Sequence, residues 1–129
     1  GWNLGEVVHD RKRIDDRMRR AYFDRLRTDG ALEAQAAVAS AIDEPGLRAR
    51  FDHLAEIRIP TLILWGEQDR WIPVSVGRAL QREIPGSQLH VLPRSGHLLQ
   101  EERPEQVAAL IAQFLTQPAP PATRPASAR

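Results

Sequence analysis

Two residues in the second half of the sequence have the types and positions that acid-base chemistry requires. Asp69 comes just after an apolar run at residues 59–66, and His97 comes just after a second run at residues 88–92. A carboxylate that hydrogen-bonds one imidazole nitrogen fixes the tautomer of the ring, so that the other nitrogen can take a proton from a nucleophile. The pair is therefore a candidate for two members of a catalytic triad.

The elements around the pair predict that its two members meet. Both apolar runs are typical of buried strands, and each is followed by a helical pattern that opens at a proline, Pro73 or Pro104. Such alternation indicates an α/β protein with parallel strands and crossover helices. Because a crossover returns the chain to the same sheet edge, Asp69 and His97 are expected to be neighbours there. Either residue alone would more often have a structural role in a loop; the ordered pair favours a site.

Residues 1–56 lack strand alternation and carry helical spacing instead. Apolar side chains recur at every fourth position, namely at Ile14, Met18, Tyr22 and Leu26. This spacing predicts an amphipathic helix that ends near Gly30. The alanine-rich segment from Ala31 to Ile42 predicts a second helix. A third short helix, with Leu47, Phe51 and Leu54, is expected after the Pro45-Gly46 break.

Two motifs in residues 57–116 resemble the α/β-hydrolase fold family. The segment from Ile59 to Asp69, followed by Ile72-Pro73, resembles the strand and loop that carry the family's triad acid. The run Arg94-Ser95-Gly96-His97, with residues 100–105 and the last helix, resembles its histidine loop. The resemblance implies that Asp69 is the triad acid and His97 the general base. It also implies the C-terminal portion of an α/β-hydrolase sheet, with two parallel strands and crossover helices, preceded by a helical cap segment.

Three regions follow from the resemblance and from composition. Residues 1–56 are expected to be a cap or lid segment, residues 57–116 the C-terminal part of the hydrolase core, and residues 117–129 a disordered tail rich in proline and alanine. The cap is similar in style to those of carbon-carbon bond hydrolases and lipase-like enzymes, which implies a small, partly apolar substrate. Trp71 and Leu98 are candidates to line the substrate pocket, although simple packing is the commoner role for such residues.

The nucleophile that should complete the triad is missing from the sequence. Family members carry Gly-x-Ser-x-Gly before the cap, and the nearest imitation here, residues 73–77 around Ser75, lies after the acid and has Pro73 in place of the first glycine. We therefore expect these residues to be the C-terminal fragment of a longer esterase-like hydrolase. The fragment is expected to be inactive alone. The missing nucleophile could be Ser, or Asp as in dehalogenases and epoxide hydrolases. The alternative is a non-catalytic pseudoenzyme or interaction subunit of the same fold.

Composition narrows the classes of partner. The 129 residues carry a net charge of +1 and 42% apolar residues, so no strong field favours nucleic acid or a membrane surface. The basic residues within 11–20 alternate with aspartates, which is typical of a solvated helix face. Without cysteine or clustered histidines, no metal site and no cofactor are expected, and a cytoplasmic location is predicted. An unpaired strand edge would favour self-association.

Overall fold

The computed structural model describes residues 4–42 and 51–118. The first part is helical: α1 (Leu4–Val7), α2 (Asp16–Phe23) and α3 (Ala31–Ile42), with 3-10 turns at Arg11–Arg13, Arg25–Arg27 and Phe51–Glu56. The second part alternates: β1 (Leu62–Gly66), α4 (Val74–Glu83), β2 (Gln88–Leu92), α5 (Leu99–Glu102) and α6 (Pro104–Thr116).

The two strands form a parallel pair connected by α4. Leu62 lies opposite Gln88 and Gly66 opposite Leu92, so both strands end at the same level. Ile63 of β1 and Leu92 of β2 are both buried, and the register places them on opposite faces of the sheet. This arrangement confirms the predicted α/β class with parallel strands and a crossover helix, and it brings the loops after β1 and β2 to one edge of the sheet.

Two boundaries differ from those predicted, and one short helix was not predicted. β1 begins at Leu62 rather than at Ile59, which is 73% exposed, because Pro60 has no N–H for a strand ladder. α2 ends at Phe23 instead of near Gly30, and the hydroxyl of Thr28 bonds the carbonyl oxygen of Arg25 at 2.8 Å, which favours a local turn over a longer helix. The four-residue helix α5 was not anticipated by the sequence pattern.

The N-terminal helical part packs on the loop that follows β2. Asp15 caps α2 by accepting a hydrogen bond from the N–H of Met18 at 2.7 Å, and the helix begins at Asp16. Met18 then packs with Val7 and Val8 in a small buried cluster, and the side chain of Leu98 from the β2 loop contacts that cluster. The N-terminal part and the sheet loop thus share one apolar contact.

Some sequence predictions lie outside the described residues. The third predicted helix includes Leu47, which is not described, and its second half is the 3-10 turn Phe51–Glu56. The predicted tail is described only at residues 117 and 118. The division of the chain into a cap and a core at residue 57 stays a prediction.

Candidate active site

The carboxylate of Asp69 and the imidazole of His97 are in direct contact. Asp69 Oδ2 lies 2.9 Å from His97 Nδ1. Since a carboxylate can only accept, Nδ1 carries the proton and Nε2 has its lone pair available. The Asp69 side chain is 5% exposed and that of His97 is 31% exposed, so the carboxylate is shielded while the imidazole reaches solvent. Nε2 makes no hydrogen bond within residues 4–42 and 51–118.

The second carboxylate oxygen of Asp69 is occupied by its own loop. Oδ1 accepts hydrogen bonds from the N–H of Trp71 at 2.9 Å and of Ile72 at 3.0 Å. An aspartate that bonds backbone N–H groups two and three residues onward holds a tight turn in one shape. The same turn therefore fixes the carboxylate and aims Oδ2 at His97.

Backbone contacts hold the two loops at a short distance. Gln68 exchanges two hydrogen bonds with Ser95: its N–H donates to the Ser95 carbonyl oxygen at 3.0 Å, and its Oε1 accepts from the Ser95 N–H at 3.1 Å. At Gly66 an added Cβ would overlap the carbonyl oxygens of Ser95 and Gly96, so only glycine fits where the loops cross. These contacts hold the two loops at the short distance that the hydrogen bond between Asp69 and His97 requires.

The N-terminal part covers the other side of the histidine loop. The N–H of His97 donates to the carbonyl oxygen of Val7 at 2.7 Å. A Cβ at Gly96 would lie 2.7 Å from the same oxygen and 2.8 Å from the backbone nitrogen of His9. The histidine loop is thus enclosed between the β1 loop and residues 7–9.

The two predicted pocket residues take different positions. The ring of Trp71 is centred 5.4 Å from the imidazole of His97, tilted by 43°, and the residue is 40% exposed, so it flanks the base at the surface. Leu98 instead packs against Val7, Val8 and Met18. Its contacts favour the packing alternative, and a role in binding substrate stays a prediction for both residues.

Ser75 lies in the first turn of α4 and is exposed. No hydrogen bond joins it to His97 in the part of the chain that the structure describes. Its helix begins after Pro73 in an extended conformation, and Gly77 packs on the Trp65 ring, where an added Cβ would lie 2.8 Å from the nearest ring atom. Gly77 therefore serves helix-to-strand packing, and the segment does not have the strand-turn-helix form of a nucleophile elbow.

Glu102 and Gln68 support the site and were missed as site residues by the sequence analysis. Glu102 is 1% exposed and binds the backbone beside His97, and Gln68 bridges the two loops. A signal for Glu102 existed: it follows the buried Leu99 by three positions, which places both on one helix face. It could not be used, because the short helix that makes the spacing meaningful was not predicted.

Metal-binding clusters and membrane-spanning helices are both absent from the part of the chain that the structure describes. No group of three or more His, Cys, Asp or Glu side chains is gathered at metal-binding distances in residues 4–42 and 51–118. Among those residues, none of the helices combines the length and the apolar character needed to cross a bilayer.

The geometry and the fold agree with comparisons to known proteins. The profile described as "Alpha/beta hydrolase family" matches residues 2–110, and the chain belongs to that family. It is 34% identical over 116 residues to the uncharacterized hydrolase YugF of Bacillus subtilis (strain 168), a match that covers 88% of this chain and 40% of YugF. The family and the fold class predicted from the two motifs are thereby confirmed.

Two other relatives are named for their reactions. The chain is 40% identical over 87 residues to 2-hydroxy-6-oxononadienedioate/2-hydroxy-6-oxononatrienedioate hydrolase 2 of Pseudomonas putida, which covers 67% of this chain and 29% of that protein. The solved structure of a meta-cleavage product hydrolase from Pseudomonas fluorescens IP01 superposes with a TM-score of 0.68 at 26% identity, covering 87% of this chain and 42% of the other. The chain spans less than half the length of these relatives.

Proposed function

We propose that this chain supplies the acid and the general base of a hydrolase with a Ser-His-Asp triad, in which Asp69 orients His97. The observation that carries the proposal is the 2.9 Å contact between Asp69 Oδ2 and His97 Nδ1, which leaves Nε2 without a partner in the described residues. The nucleophile comes from a part of the enzyme outside these 129 residues. Without it, the chain is inactive alone.

The proposed chemistry follows from that contact. Nε2 of His97 takes the proton of the serine hydroxyl as its oxygen attacks the substrate carbonyl carbon, and the carboxylate of Asp69 stabilises the imidazolium. His97 then donates the proton to the leaving group. In the second half of the reaction, Nε2 activates a water molecule that attacks the acyl carbon and releases the product.

The substrate proposed is a small ester, or a molecule with a carbon-carbon bond next to a ketone. The support is the set of relatives: hydrolases named for 2-hydroxy-6-oxo dienedioates match at 40% identity, and a meta-cleavage product hydrolase shares the fold. We also propose that residues 1–56 form the end of a cap. The contact of Val7 with the His97 backbone supports a position for this segment beside the reacting groups.

A second candidate function is that of a non-catalytic interaction subunit or pseudoenzyme of the same fold. The absence of Gly-x-Ser-x-Gly from the sequence favours it. Self-association through an unpaired strand edge belongs to this alternative, and light scattering of the purified chain would test it. A cytoplasmic location remains a prediction that rests on the lack of cysteine.

A fluorophosphonate probe separates the two candidates. It labels only a serine that a triad base activates, and mass spectrometry of the labelled peptide locates that serine in the intact protein that contains these residues. The proposal predicts labelling outside residues 1–129, lost in His97→Ala and retained in Ser75→Ala. Labelling of Ser75 would contradict a nucleophile outside the chain, and the absence of any labelling would favour the non-catalytic alternative.

A further inference from the structure

The buried carboxylate of Glu102 has no role in the proton transfers described above. It is 1% exposed, and both of its oxygens accept hydrogen bonds from the backbone. Oε1 accepts from the N–H of Gly96 at 2.6 Å, and Oε2 accepts from the N–H of His9 at 2.7 Å and of Asp10 at 3.4 Å. One side chain thereby joins the histidine loop to the N-terminal part of the chain.

The partners of Glu102 lie immediately beside the base. Gly96 precedes His97, and the N–H of His97 itself bonds the carbonyl oxygen of Val7, two residues before His9. The peptide units on both sides of the Gly96 Cα are therefore tied to the same short segment, residues 7–10: the unit that carries the His97 N–H is tied directly, and the preceding one through Glu102. A shift of either partner moves the Cα of His97 and with it the imidazole.

We propose that Glu102 is a positioning residue for His97, holding the histidine loop against residues 7–10 so that Nδ1 stays within hydrogen-bond distance of Asp69. This proposal rests on the proposed function for its kinetic consequence, but its structural part does not depend on turnover. Glu102 touches neither Asp69 nor the imidazole, so it acts through the backbone.

The chemistry of the three contacts requires a carboxylate. All the partners of Glu102 within the described residues are N–H donors, and a carboxylate presents only acceptors to them. A glutamine of the same size has one oxygen and one NH₂ group, so one side of the bridge would place two donors face to face. Buried charge-assisted hydrogen bonds of this type are also stronger than neutral ones.

The neighbouring glutamate provides a matched control. Glu101 lies on the same helix, is exposed, and accepts one hydrogen bond, from the hydroxyl of Tyr22 at 3.2 Å. Glu101→Gln makes the same chemical change one position away without touching the histidine loop. A difference between Glu102→Gln and Glu101→Gln therefore reports the bridge and not the loss of a negative charge from α5.

Two readouts test the proposal. The first is the low-field proton resonance of His97 Nδ1–H in the chain, assigned by its loss in Asp69→Asn. The second is the separate measurement of kcat and KM for hydrolysis of a p-nitrophenyl ester by the intact protein. Glu102→Gln is expected to lose or broaden the resonance and to lower kcat about 10- to 100-fold, with KM changed less than about twofold, since small misplacements of a catalytic group act on the chemical step. Glu101→Gln should stay within about twofold in both constants.

The outcomes are distinguishable. If Glu102→Gln keeps the resonance and a wild-type kcat, the positioning role is wrong even if the enzyme is an active hydrolase. If the unaltered protein neither turns over the ester nor is labelled by the fluorophosphonate probe, the proposed function fails, and the resonance alone decides the role of Glu102. If the variant does not fold, amide exchange in the unaltered chain decides: protection of both Gly96 and His9 supports the bridge, and rapid exchange of either overturns it.

Discussion

At the scale of single residues, the site depends on how the carboxylate of Asp69 divides its two oxygens. Oδ1 bonds the N–H groups of Trp71 and Ile72, and Oδ2 bonds His97. The first oxygen holds the turn, and the second fixes the imidazole of His97, the proposed base. A substitution that preserves one and not the other can therefore separate folding from activity.

Asp69→Asn is expected to retain the fold and lose most of the activity. An asparagine oxygen can still accept from Trp71 and Ile72, but its NH₂ group then faces His97 and favours the wrong imidazole tautomer. We expect kcat/KM in the intact protein to fall on the order of 10³- to 10⁴-fold, with little change in melting temperature. Asp16→Asn makes the same chemical change at an exposed position on α2 and is the control. A loss smaller than tenfold would mean that Asp69 is not the triad acid.

Tyr22 gives the protein a pH dependence at the alkaline end. Burial raises the pKa of the Tyr22 phenol above its ordinary value of 10.0, and the nearby Glu101 carboxylate adds to the effect. Because the folded state favours the neutral phenol, this contribution to stability is complete below pH 10.0 and is lost as the pH rises through the higher folded value. Above pH 10.0, the free energy of unfolding of Tyr22→Phe should therefore fall less steeply with rising pH than that of the unaltered protein. An unchanged slope would contradict this assignment.

Residue types predicted Asp69 and His97 but not the groups that hold His97 in place. Asp69 and His97 could be found because each follows a strand and because their chemistry is recognisable from type alone. Glu102 is one of two adjacent glutamates in a charged stretch, and only the packing of α5 makes one buried and the other exposed. Backbone partners such as the Val7 carbonyl have no side-chain signature at all.

At the scale of elements, the crossing of the β1 and β2 loops restricts which side chains fit at the crossing point. Gly66 meets the carbonyl oxygens of Ser95 and Gly96, so a methyl group there forces rigid backbone apart. Gly86, in the turn before β2, has open space around it and a φ of +73°. Glycine suits the two positions for different physical reasons: close backbone contact at Gly66 and a positive φ at Gly86.

Gly66→Ala is expected to destabilise the fold far more than Gly86→Ala. The second substitution costs about 1 to 2 kcal/mol for the left-handed backbone, whereas the first should cost more than about 4 kcal/mol, since it cannot be relieved without separating the loops. Denaturant unfolding of each variant measures the difference. Equal losses at the two sites would show that the loops are not held as close as described.

The start of α2 offers a test of the N-terminal part. Asp15 accepts a hydrogen bond from the N–H of Met18, whose side chain is buried against Val7 and Val8. Asp15→Ala should lower the free energy of unfolding by about 1 kcal/mol through loss of the cap. Asp16→Ala, which removes a charge from the same turn without removing the cap, should have a smaller effect. A larger effect at Asp16 would refute the assignment of the cap.

Element types were predicted better than element ends. Pattern and propensity placed α3, β2 and α6 correctly, and α6 also opens at Pro104 as predicted. They overextended α2 beyond Phe23, where the turn around Thr28 competes, and overextended β1 to Ile59, where Pro60 has no N–H to donate to a strand ladder. Such boundaries depend on contacts with distant residues, which a local pattern does not contain.

At the scale of the whole molecule, the sequence carries the proposed acid and the proposed base but no recognisable nucleophile. It belongs to the alpha/beta hydrolase family and spans less than half the length of its relatives. The parallel pair of strands and the family motif could be predicted from the sequence. The substrate could not, since neither its shape nor its charge is encoded in Asp69 and His97.

A comparison of two histidines tests the central claim most directly. His53 also has Nδ1 beside a carboxylate, that of Glu56, at 3.0 Å, but both side chains are more than two-thirds exposed, at 71% and 72%. The measurement is turnover of a p-nitrophenyl ester by the intact protein that contains these residues, compared with its His97→Ala and His53→Ala variants. Loss of at least about 10³-fold in kcat/KM is expected for His97→Ala, and wild-type activity for His53→Ala. Undiminished turnover in His97→Ala would contradict the assignment of His97 as the general base.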